Sequence, residues 1–366
     1  MDAGVGIYRD EDEKTFTPPA IQKAWERLDL GPGDYLTPNG EEEYLGDRVF
    51  LQESARLVFG SYANELLENK KLSAVGTPGG TGALALAFEM FRTRHPRAPL
   101  LIGMPTWHNH ILMANWQKIP LLTYQHVHNQ AYDIDAHLTA IKASPQETLV
   151  LFHTGKTHNP TGVNPSHPDE WRKLARTMEG RRAFFDTSYA GFENGLVPDT
   201  EAIRLFMEEG VLVAVAISYA KNGGLYKERP GALLIPASSQ TDAIELQRVL
   251  NMKAQVSYSS PPALGERLIA KVFSSPELHQ QWNADLQQIA QSLKTRREIF
   301  AKELPEFQFL AQQVGLFSML PLQPEQVEKL KTDFGVYMPS IGRVNFGGVP
   351  TAKIRTFAQA IKAVLS

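Results

Sequence analysis

Short, continuously apolar runs alternate with segments of helical spacing through the middle of the chain. Five such runs are LSAVGT, PLLIGMP, TLVLF, RRAFFD and VLVAVAIS. Continuous apolarity is typical of strands that are buried on both faces, whereas half-exposed strands alternate. The pattern therefore predicts an α/β fold in which a parallel sheet is covered by helices on both sides.

The last third of the chain has a different pattern. Residues 275–304 form one long charged, Gln-rich segment of helical spacing, and the short apolar runs GLFSML and RVNFGG and a closing helical segment follow it. This α+β character predicts a second, smaller domain with its boundary inside the long helix. We expect a large domain over residues 16–288 and a small domain made of residues 1–15 and 289–366.

Composition and charge exclude several classes of protein. The 366 residues include 37 basic and 40 acidic side chains, and neither sign dominates a long block, which argues against a nucleic-acid partner. Cysteine is absent, so disulfides, thiolate metal sites and a cysteine nucleophile are excluded. We expect no metal site. We also expect no membrane span, since the apolar runs are only as long as strands. The N-terminus lacks a signal-peptide pattern, so we expect a cytoplasmic location.

Polar, aromatic and glycine residues follow each of the five apolar runs. In chain order these segments read PGGTGAL, TWHNH, HTGKTHNPTG, DTSY and SYAK. Ligands of open α/β sheets bind beyond the carboxyl ends of the strands. Five such segments at one edge predict a ligand site there.

The glycine-rich segment has two interpretations. PGGTGAL is either a tight turn into a helix or a phosphate site formed by backbone N–H groups at a helix N-terminus. Its spacing from Gly80 to Gly82 and Ala85 is a weak dinucleotide fingerprint, and the carboxylate that such a site needs about 20 positions later is missing. TGKT is not a triphosphate loop, because Val150 stands where that motif requires glycine.

Three further side chains are candidates for chemistry. Asp186 ends an apolar run, so its carboxylate is either a helix cap or directed at a cation in the site. Trp107 is either a core residue or a stacking surface. Lys221 follows a wholly apolar strand, and burial lowers the pKa of a lysine amine, as a nucleophilic amine requires. A lysine, an aspartate and a phosphate site together suit a pyridoxal-type cofactor.

The segment SYAKNGGLYKERPGAL resembles the cofactor-lysine segment of the pyridoxal-phosphate-dependent class I aminotransferases of the aspartate and aromatic group. The segments YLTPNG, TWHNH, HNPTG, FFDTSYAGF and SIGRVNFGG resemble the same family in the same order. The resemblance covers nearly the whole chain. It implies fold type I, with a mostly parallel seven-stranded sheet in the large domain. It also implies an enzyme that uses pyridoxal 5′-phosphate to exchange an amino group between an amino acid and a 2-oxo acid such as 2-oxoglutarate.

The resemblance also implies roles for the matching residues. Lys221 would bond the cofactor aldehyde and carry the substrate proton, and Asp186 would pair with the ring nitrogen. Tyr189 and Asn159 would hydrogen-bond the phenolic oxygen, and Trp107 would stack on the ring. The residues expected to hold the phosphate are Gly80, Thr81, Ser218, Arg229 and, from the neighbouring subunit, Tyr35, which implies a homodimer with shared active sites. The residues expected around the substrate are Arg343 at its α-carboxylate, Gly6, Trp107 and Asn159.

One position bears on substrate choice. Members of the family that prefer dicarboxylates carry an arginine where this sequence has Gln255, and that arginine reaches across the dimer. Lys253 would replace it only if the segment shifted. We therefore expect aromatic or other uncharged side chains to be favoured over aspartate. The alternatives are an aspartate aminotransferase proper, a non-transaminating enzyme with the same cofactor, or a regulatory homologue without turnover.

Two departures from the family pattern leave assignments open. HTGKTHNPTG is one residue longer than the usual turn, so neither His153 nor Thr154 is assigned to the position behind the cofactor ring. Gly79 stands where a serine is common, which removes one hydroxyl from the expected phosphate site.

Overall fold

The computed structural model describes residues 1–29 and 43–365, so the predicted residue Tyr35 lies outside the described residues. The helices of the described chain are α1 (Pro19–Glu26), α2 (Arg48–Phe59), α3 (Tyr62–Glu68), α4 (Gly79–Arg94), α5 (His108–Trp116), α6 (Ile134–Ala143), α7 (Pro168–Arg176), α8 (Glu201–Glu208), α9 (Gln240–Tyr258), α10 (Ala263–Phe273), α11 (Pro276–Glu303), α12 (Pro324–Phe334) and α13 (Ile354–Leu365). The strands are β1 (Leu72–Pro78), β2 (Leu100–Met104), β3 (Leu121–Gln125), β4 (Val127–His128), β5 (Ala131–Tyr132), β6 (Leu149–His153), β7 (Arg182–Thr187), β8 (Leu212–Ser218), β9 (Pro230–Pro236), β10 (Phe317–Met319) and β11 (Arg343–Asn345).

Seven of the described strands form one sheet in the order β1-β9-β8-β7-β6-β2-β3. Neighbours from β8 through β3 run parallel, whereas β9 is antiparallel to both β1 and β8. The predicted α/β fold with a mostly parallel, helix-flanked sheet is therefore confirmed. The five apolar runs of the sequence are β1, β2, β6, β7 and β8.

Helices cover both faces of the sheet, which explains the continuous apolarity of its central strands. On one face Phe184 packs against Phe88 of α4, with ring centroids 5.8 Å apart. On the other face Phe152 packs against Phe185 and against Phe206 of α8, at 5.2 and 4.9 Å. Successive residues of one strand therefore enter two different cores.

The end of the chain folds together with its beginning. The long helix α11 spans Pro276–Glu303, close to the predicted range, and β10 pairs antiparallel with β11. The N-terminal residues lie beside this pair, since Asn345 N donates to Ala3 O at 2.7 Å and Arg9 N to Gly347 O at 2.8 Å. The division into domains over residues 16–288 and over residues 1–15 with 289–366 stays a prediction. No helix within residues 1–29 and 43–365 has the length and apolarity to cross a membrane.

Candidate active site

The predicted site segments meet at one edge of the sheet. Strands β2, β6, β7 and β8 run in the same direction, so their carboxyl ends lie together. The register pairs His153 at the end of β6 with Asp186 near the end of β7. Ser218 ends β8, and Lys221 follows it after a short turn. The sequence-based expectation of one site at this edge agrees with this arrangement.

Asp186 is buried, and both of its carboxylate oxygens are in hydrogen bonds. Ser188 Oγ donates to Oδ1 at 2.6 Å, and His110 Nε2 lies 3.1 Å from Oδ2. Thr106 Oγ1 lies 2.9 Å from His110 Nδ1, so a hydroxyl that donates there leaves Nε2 as the donor to Asp186. Burial alone would raise the pKa of Asp186, but the bonds from His110 and Ser188 and the nearby imidazoles hold it below its usual value. The carboxylate is therefore ionised.

His153 and Thr154, which the lengthened turn left unassigned, both lie next to Asp186. Its Nε2 lies 3.9 Å from Asp186 Oδ2. Thr154 meets Asp186 through the main chain, because its N–H donates to Asp186 O at 3.2 Å. Burial lowers the pKa of His153 to about 3, so this imidazole is neutral. Of the two residues, it is His153 whose side chain lies beside the carboxylate.

Lys221 is partly buried, and its Nζ lies 4.7 Å from the centroid of the Tyr189 ring. Burial lowers the pKa of the amine to about 8, although Asp186 opposes this shift, and Arg229 adds to it. The turn after Lys221 is fixed at Asn222, whose Nδ2 donates to Ala190 O at 3.0 Å. A substantial fraction of this amine is therefore neutral near pH 8.

The N-terminus of α4 and Arg229 lie together, where the sequence predicts a phosphate site. The residue before α4, Pro78, provides no side-chain cap. A Cβ on Gly79 would lie 2.5 Å from Arg229 Nη2, and the φ of Gly79 is +67°, so only glycine leaves the guanidinium in this place. Gly80 is packed against Ser218, whose Cβ would lie 3.1 Å from a Cβ at position 80. Thr81 lies in the first turn of α4. A serine at position 79 would therefore have to displace Arg229.

The Arg229 guanidinium has no carboxylate partner within the described residues. Its side chain donates to Tyr226 O at 3.4 Å. An unpaired guanidinium beside an uncapped helix N-terminus suits a doubly charged phosphate.

Arg343 is connected to Tyr189 through Asn159. Arg343 Nη1 lies 3.5 Å from Asn159 Oδ1, and Asn159 Nδ2 donates to Tyr189 Oη at 3.4 Å. The Arg343 guanidinium also lies over the Phe317 ring, 4.6 Å from its centroid, and Nη2 donates to Gly4 O at 2.9 Å. Burial lowers the pKa of Arg343, and its Nε has no hydrogen-bond partner among residues 1–29 and 43–365.

Gly6 lies against Phe317 in the same region. A Cβ at position 6 would lie 2.9 Å from Phe317 Cζ, so a side chain there would displace the ring below Arg343. Tyr226 Oη accepts from Tyr8 N at 2.9 Å, which holds the N-terminal segment near the turn that follows Lys221. Gly6 and Arg343 therefore both lie against the Phe317 ring.

Two of the predicted site residues, Trp107 and Gln255, differ in how close they lie to the other site residues. Trp107 immediately precedes α5, packs partly on the core and meets His110 edge to face at 5.3 Å, so it lies next to the Asp186 network. Gln255 is exposed on α9, and the described residues show no hydrogen bond from it to another predicted site residue. This position fits the expectation that Gln255 acts across a dimer, which stays a prediction.

Sequence reasoning missed two partners of Asp186. Ser188 follows it by two residues, and the alternation of the strand end could have indicated it. His110 follows Trp107 by three residues, which is one helical turn, and the quoted segment TWHNH contained it without a role.

His110, His153 and Asp186 also have donor atoms within 4.8 Å of one another, close enough to hold a metal ion. The expectation that the protein has no metal site stays a prediction.

A pocket of about 400 Å³ lies elsewhere, beside Lys156, His167 and Glu193. Lys156 Nζ and Glu193 Oε1 are paired there at 3.4 Å. None of the predicted site residues lines this pocket, so its size does not identify the active site.

The sequence profile of the family described as aminotransferase class I and II matches residues 1–361. The chain belongs to this family. Aspartate aminotransferase of Escherichia coli is 34% identical over 382 residues, which covers 100% of this chain and 93% of that protein. The aromatic-amino-acid aminotransferase of Burkholderia pseudomallei, solved with covalently bound pyridoxal phosphate, superposes with a TM-score of 0.92 at 29% identity and covers 100% of this chain and 92% of its own. The aspartate aminotransferase of Saccharomyces cerevisiae cytoplasm gives a TM-score of 0.90 at 28% identity, with coverage of 100% and 91%.

This aminotransferase uses pyridoxal phosphate as its cofactor. The residues present fit that group. Lys221 offers an amine for the aldehyde, and Asp186 offers an ionised carboxylate for the ring nitrogen. Arg229, beside the start of α4, offers a cation for the phosphate that has no carboxylate partner in the described part of the chain. The predicted family, fold type and cofactor are confirmed.

Proposed function

We propose that this aminotransferase exchanges an amino group between an L-amino acid with an aromatic or other uncharged side chain and a 2-oxo acid such as 2-oxoglutarate. One observation carries the substrate preference. Position 255 holds a neutral amide, and the nearby cation Lys253 is already engaged, since its Nζ lies 2.7 Å from Glu89 Oε1. An amide in place of a charged partner gives up roughly 1.5–3 kcal/mol, about ten- to a hundredfold in affinity for a distal carboxylate.

The proposed roles follow from the positions of the side chains. Bound pyridoxal phosphate supplies a ring that accepts electrons from the substrate Cα and takes up the amino group. Lys221 takes the proton from Cα and returns it, which its lowered pKa permits. Asp186 keeps the proton on the ring nitrogen, because its carboxylate is held ionised by His110 and Ser188. Tyr189 and Asn159 lie next to each other and would hydrogen-bond the phenolic oxygen.

Two separate groups of residues hold the substrate and the phosphate in this proposal. Arg343 binds the α-carboxylate of the substrate, supported by Asn159 and by the Phe317 ring, and Gly6 leaves the space for it. Trp107 would stack on the cofactor ring. The residues proposed to hold the phosphate are Gly80, Thr81, Ser218 and Arg229.

We also propose a homodimer in which Gln255 reaches the substrate of the partner. Val249, Met252 and Val256 of α9 expose 38%, 57% and 84% of their surface, and their spacing of three and four residues puts them on one side of the helix beside Gln255. Exposed apolar side chains in a row are typical of a surface that another chain covers. Sedimentation of a Val256→Glu variant should show monomers, whereas Leu212→Glu, at another exposed apolar position, should leave the dimer intact.

A cytoplasmic location is proposed on the sequence alone. The relatives differ in this respect, because one is the aspartate aminotransferase P2 described as mitochondrial in Lupinus angustifolius, 33% identical with coverage of 99% and 81%.

The substrate proposal is tested by rapid mixing of the cofactor-loaded enzyme with one amino acid at a time. The absorbance change of the cofactor reports the first half-reaction without any acceptor. We expect phenylalanine and tyrosine to react at least as efficiently as aspartate, and 2-oxoglutarate to restore the original spectrum. A strong preference for aspartate would favour the second candidate, aspartate aminotransferase proper, which the names of the curated relatives suggest.

A further inference from the structure

Four buried histidines lie beside the site, and only part of this group touches Asp186. They are His126, His137, His153 and His158, and they lie close together with Tyr124 and Asn164. Of these four, His153 is the one next to the Asp186 carboxylate. His126 follows β3, which is the strand at the edge of the sheet.

The rings of three of these histidines lie in contact in a row, with His158 tilted by 47° against His153 and stacked on His126. His153 and His158 have centroids 4.2 Å apart, and His158 lies nearly parallel to His126 at 3.8 Å with an interplanar angle of 19°. Burial lowers the pKa of His126 to about 4 and that of His158 well below its usual value, so both rings are neutral and stack without repulsion.

His126 also contacts the lengthened turn at a second point. Its Nε2 lies 3.0 Å from Val163 O, and a neutral imidazole with that partner carries its proton on Nε2 and donates it. The ring therefore contacts the turn at His158 and at Val163, on either side of Asn159. The backbone of His126 is fixed in turn, because its N–H donates to Met104 O at 2.9 Å.

Asn159 depends on this turn for its position. It directly follows His158, and its amide group meets Tyr189 Oη at 3.4 Å and Arg343 Nη1 at 3.5 Å. These are long contacts, so a small displacement of the turn would break either one. Thr161 Oγ1, at 2.8 Å from His158 Nδ1, ties the same segment internally but does not attach it to the sheet.

We propose that His126 is a positioning residue of this aminotransferase, which holds the turn of residues 153–163 against the sheet and thereby sets Asn159 between Tyr189 and Arg343. The inference rests on the proposed role of Asn159. A metal ion does not account for the group, because the donor atoms of His126, His137 and His158 do not converge as a metal site in the described part of the chain.

Two substitutions separate the two contacts of His126. His126→Phe keeps a ring to stack on His158 and loses the donor to Val163, whereas His126→Gln keeps an N–H donor and loses the ring. His137→Phe is the matched control. His137 is equally buried, stacks on Tyr124 at 4.0 Å and bonds Tyr132 Oη at 2.6 Å, but the structure gives it no contact with the turn.

Two measurements on the cofactor-loaded variants test the proposal. The first is the pH midpoint of the absorbance change of the lysine-bound cofactor, which depends on hydrogen bonds to its phenolic oxygen. The second is the separation of KM from kcat for the amino donor. We expect both His126 variants to raise the midpoint and to raise KM about three- to tenfold, as loss of one hydrogen bond does. His137→Phe should lower thermal stability and leave both quantities unchanged.

Asn159→Ala distinguishes failure of this proposal from failure of the proposed function. If Asn159→Ala shifts midpoint and KM while folded His126 variants do not, His126 is only a core residue. If Asn159→Ala itself changes neither, the proposed role of Asn159 is wrong and the inference falls with it. In the background of Asn159→Ala, His126→Phe should add nothing to KM, whereas an independent effect there would overturn the inference.

Discussion

The His110 imidazole and the Asp186 carboxylate form a buried hydrogen bond of 3.1 Å between Nε2 and Oδ2. Thr106 fixes the other nitrogen of the imidazole at 2.9 Å. This chain of three residues joins the end of β2 to β7 and keeps the carboxylate charged without a formal cation as partner. A carboxylate held in this way can pair with a protonated ring nitrogen.

Replacement of Asp186 by alanine should slow the first half-reaction by several orders of magnitude. Without the carboxylate, the ring nitrogen loses its proton and the ring accepts electrons poorly. Asp186→Glu should be partly active, since it keeps the charge. Stopped-flow measurement of the cofactor absorbance checks this, and near-normal rates for the alanine variant would show that Asp186 is only a structural cap.

The capture of the cofactor by the cofactor-free protein should depend on pH through Lys221. Only the neutral amine attacks an aldehyde, and burial lowers the pKa of this amine to about 8, so the rate should rise with pH and level off above about 8. Asp186 raises this pKa, so Asp186→Asn should move the rise to lower pH. The reaction of pyridoxal phosphate with free acetyl-lysine in the same buffers corrects for titration of the cofactor. A rise centred above pH 10, or a shift to higher pH in Asp186→Asn, would contradict the assignment.

A side chain at position 79 should weaken cofactor binding by displacing Arg229. Gly79→Ala and Gly210→Ala each force a left-handed residue to carry a Cβ, with φ of +67° and +74°, at a cost of about 1–2 kcal/mol in stability. Only at position 79 does the Cβ meet the guanidinium, since position 210 has nothing within 4 Å. Fluorescence titration should therefore show a raised Kd for pyridoxal phosphate in Gly79→Ala alone, and equal Kd values would refute the contact.

An arginine at position 255 should increase activity toward aspartate. It would supply the charged fork that a distal carboxylate needs and that a lysine cannot reproduce. The control is Lys253→Gln, which should leave aspartate activity unchanged because Lys253 is paired with Glu89. Steady-state kcat/KM for aspartate and phenylalanine checks both variants. A loss of aspartate activity in Lys253→Gln would identify that lysine as the missing cation instead.

The sequence predicted the central strands because burial on both faces leaves them uniformly apolar. It did not reveal β3, whose residues Leu122, Thr123 and Gln125 are exposed at the edge of the sheet. It did not separate β9 from the preceding turn either, since β9 begins at a proline and pairs antiparallel on both sides. Edge position and strand direction depend on pairing across the fold, and hydrophobicity along the chain does not encode them.

The candidate site was predictable where residues follow strands. Lys221 and Asp186 stand at strand ends, so topology alone brings them together. His126 was not predictable, because its partners His158 and Val163 are 32 and 37 positions away and no motif marks it. The extra residue in the turn likewise left His153 and Thr154 unassigned, because which side chain lies next to Asp186 depends on the register of β6 and β7.

The bond between Lys221 and the cofactor is the most direct test of the account. Borohydride reduction of the cofactor-loaded protein, followed by mass spectrometry of its peptides, should place the pyridoxyl group on Lys221. Lys221→Ala should bind the cofactor without a reducible link and lose nearly all turnover. A pyridoxyl group on Lys227 or Lys156, with Lys221 unmodified, would contradict the assignment of the site.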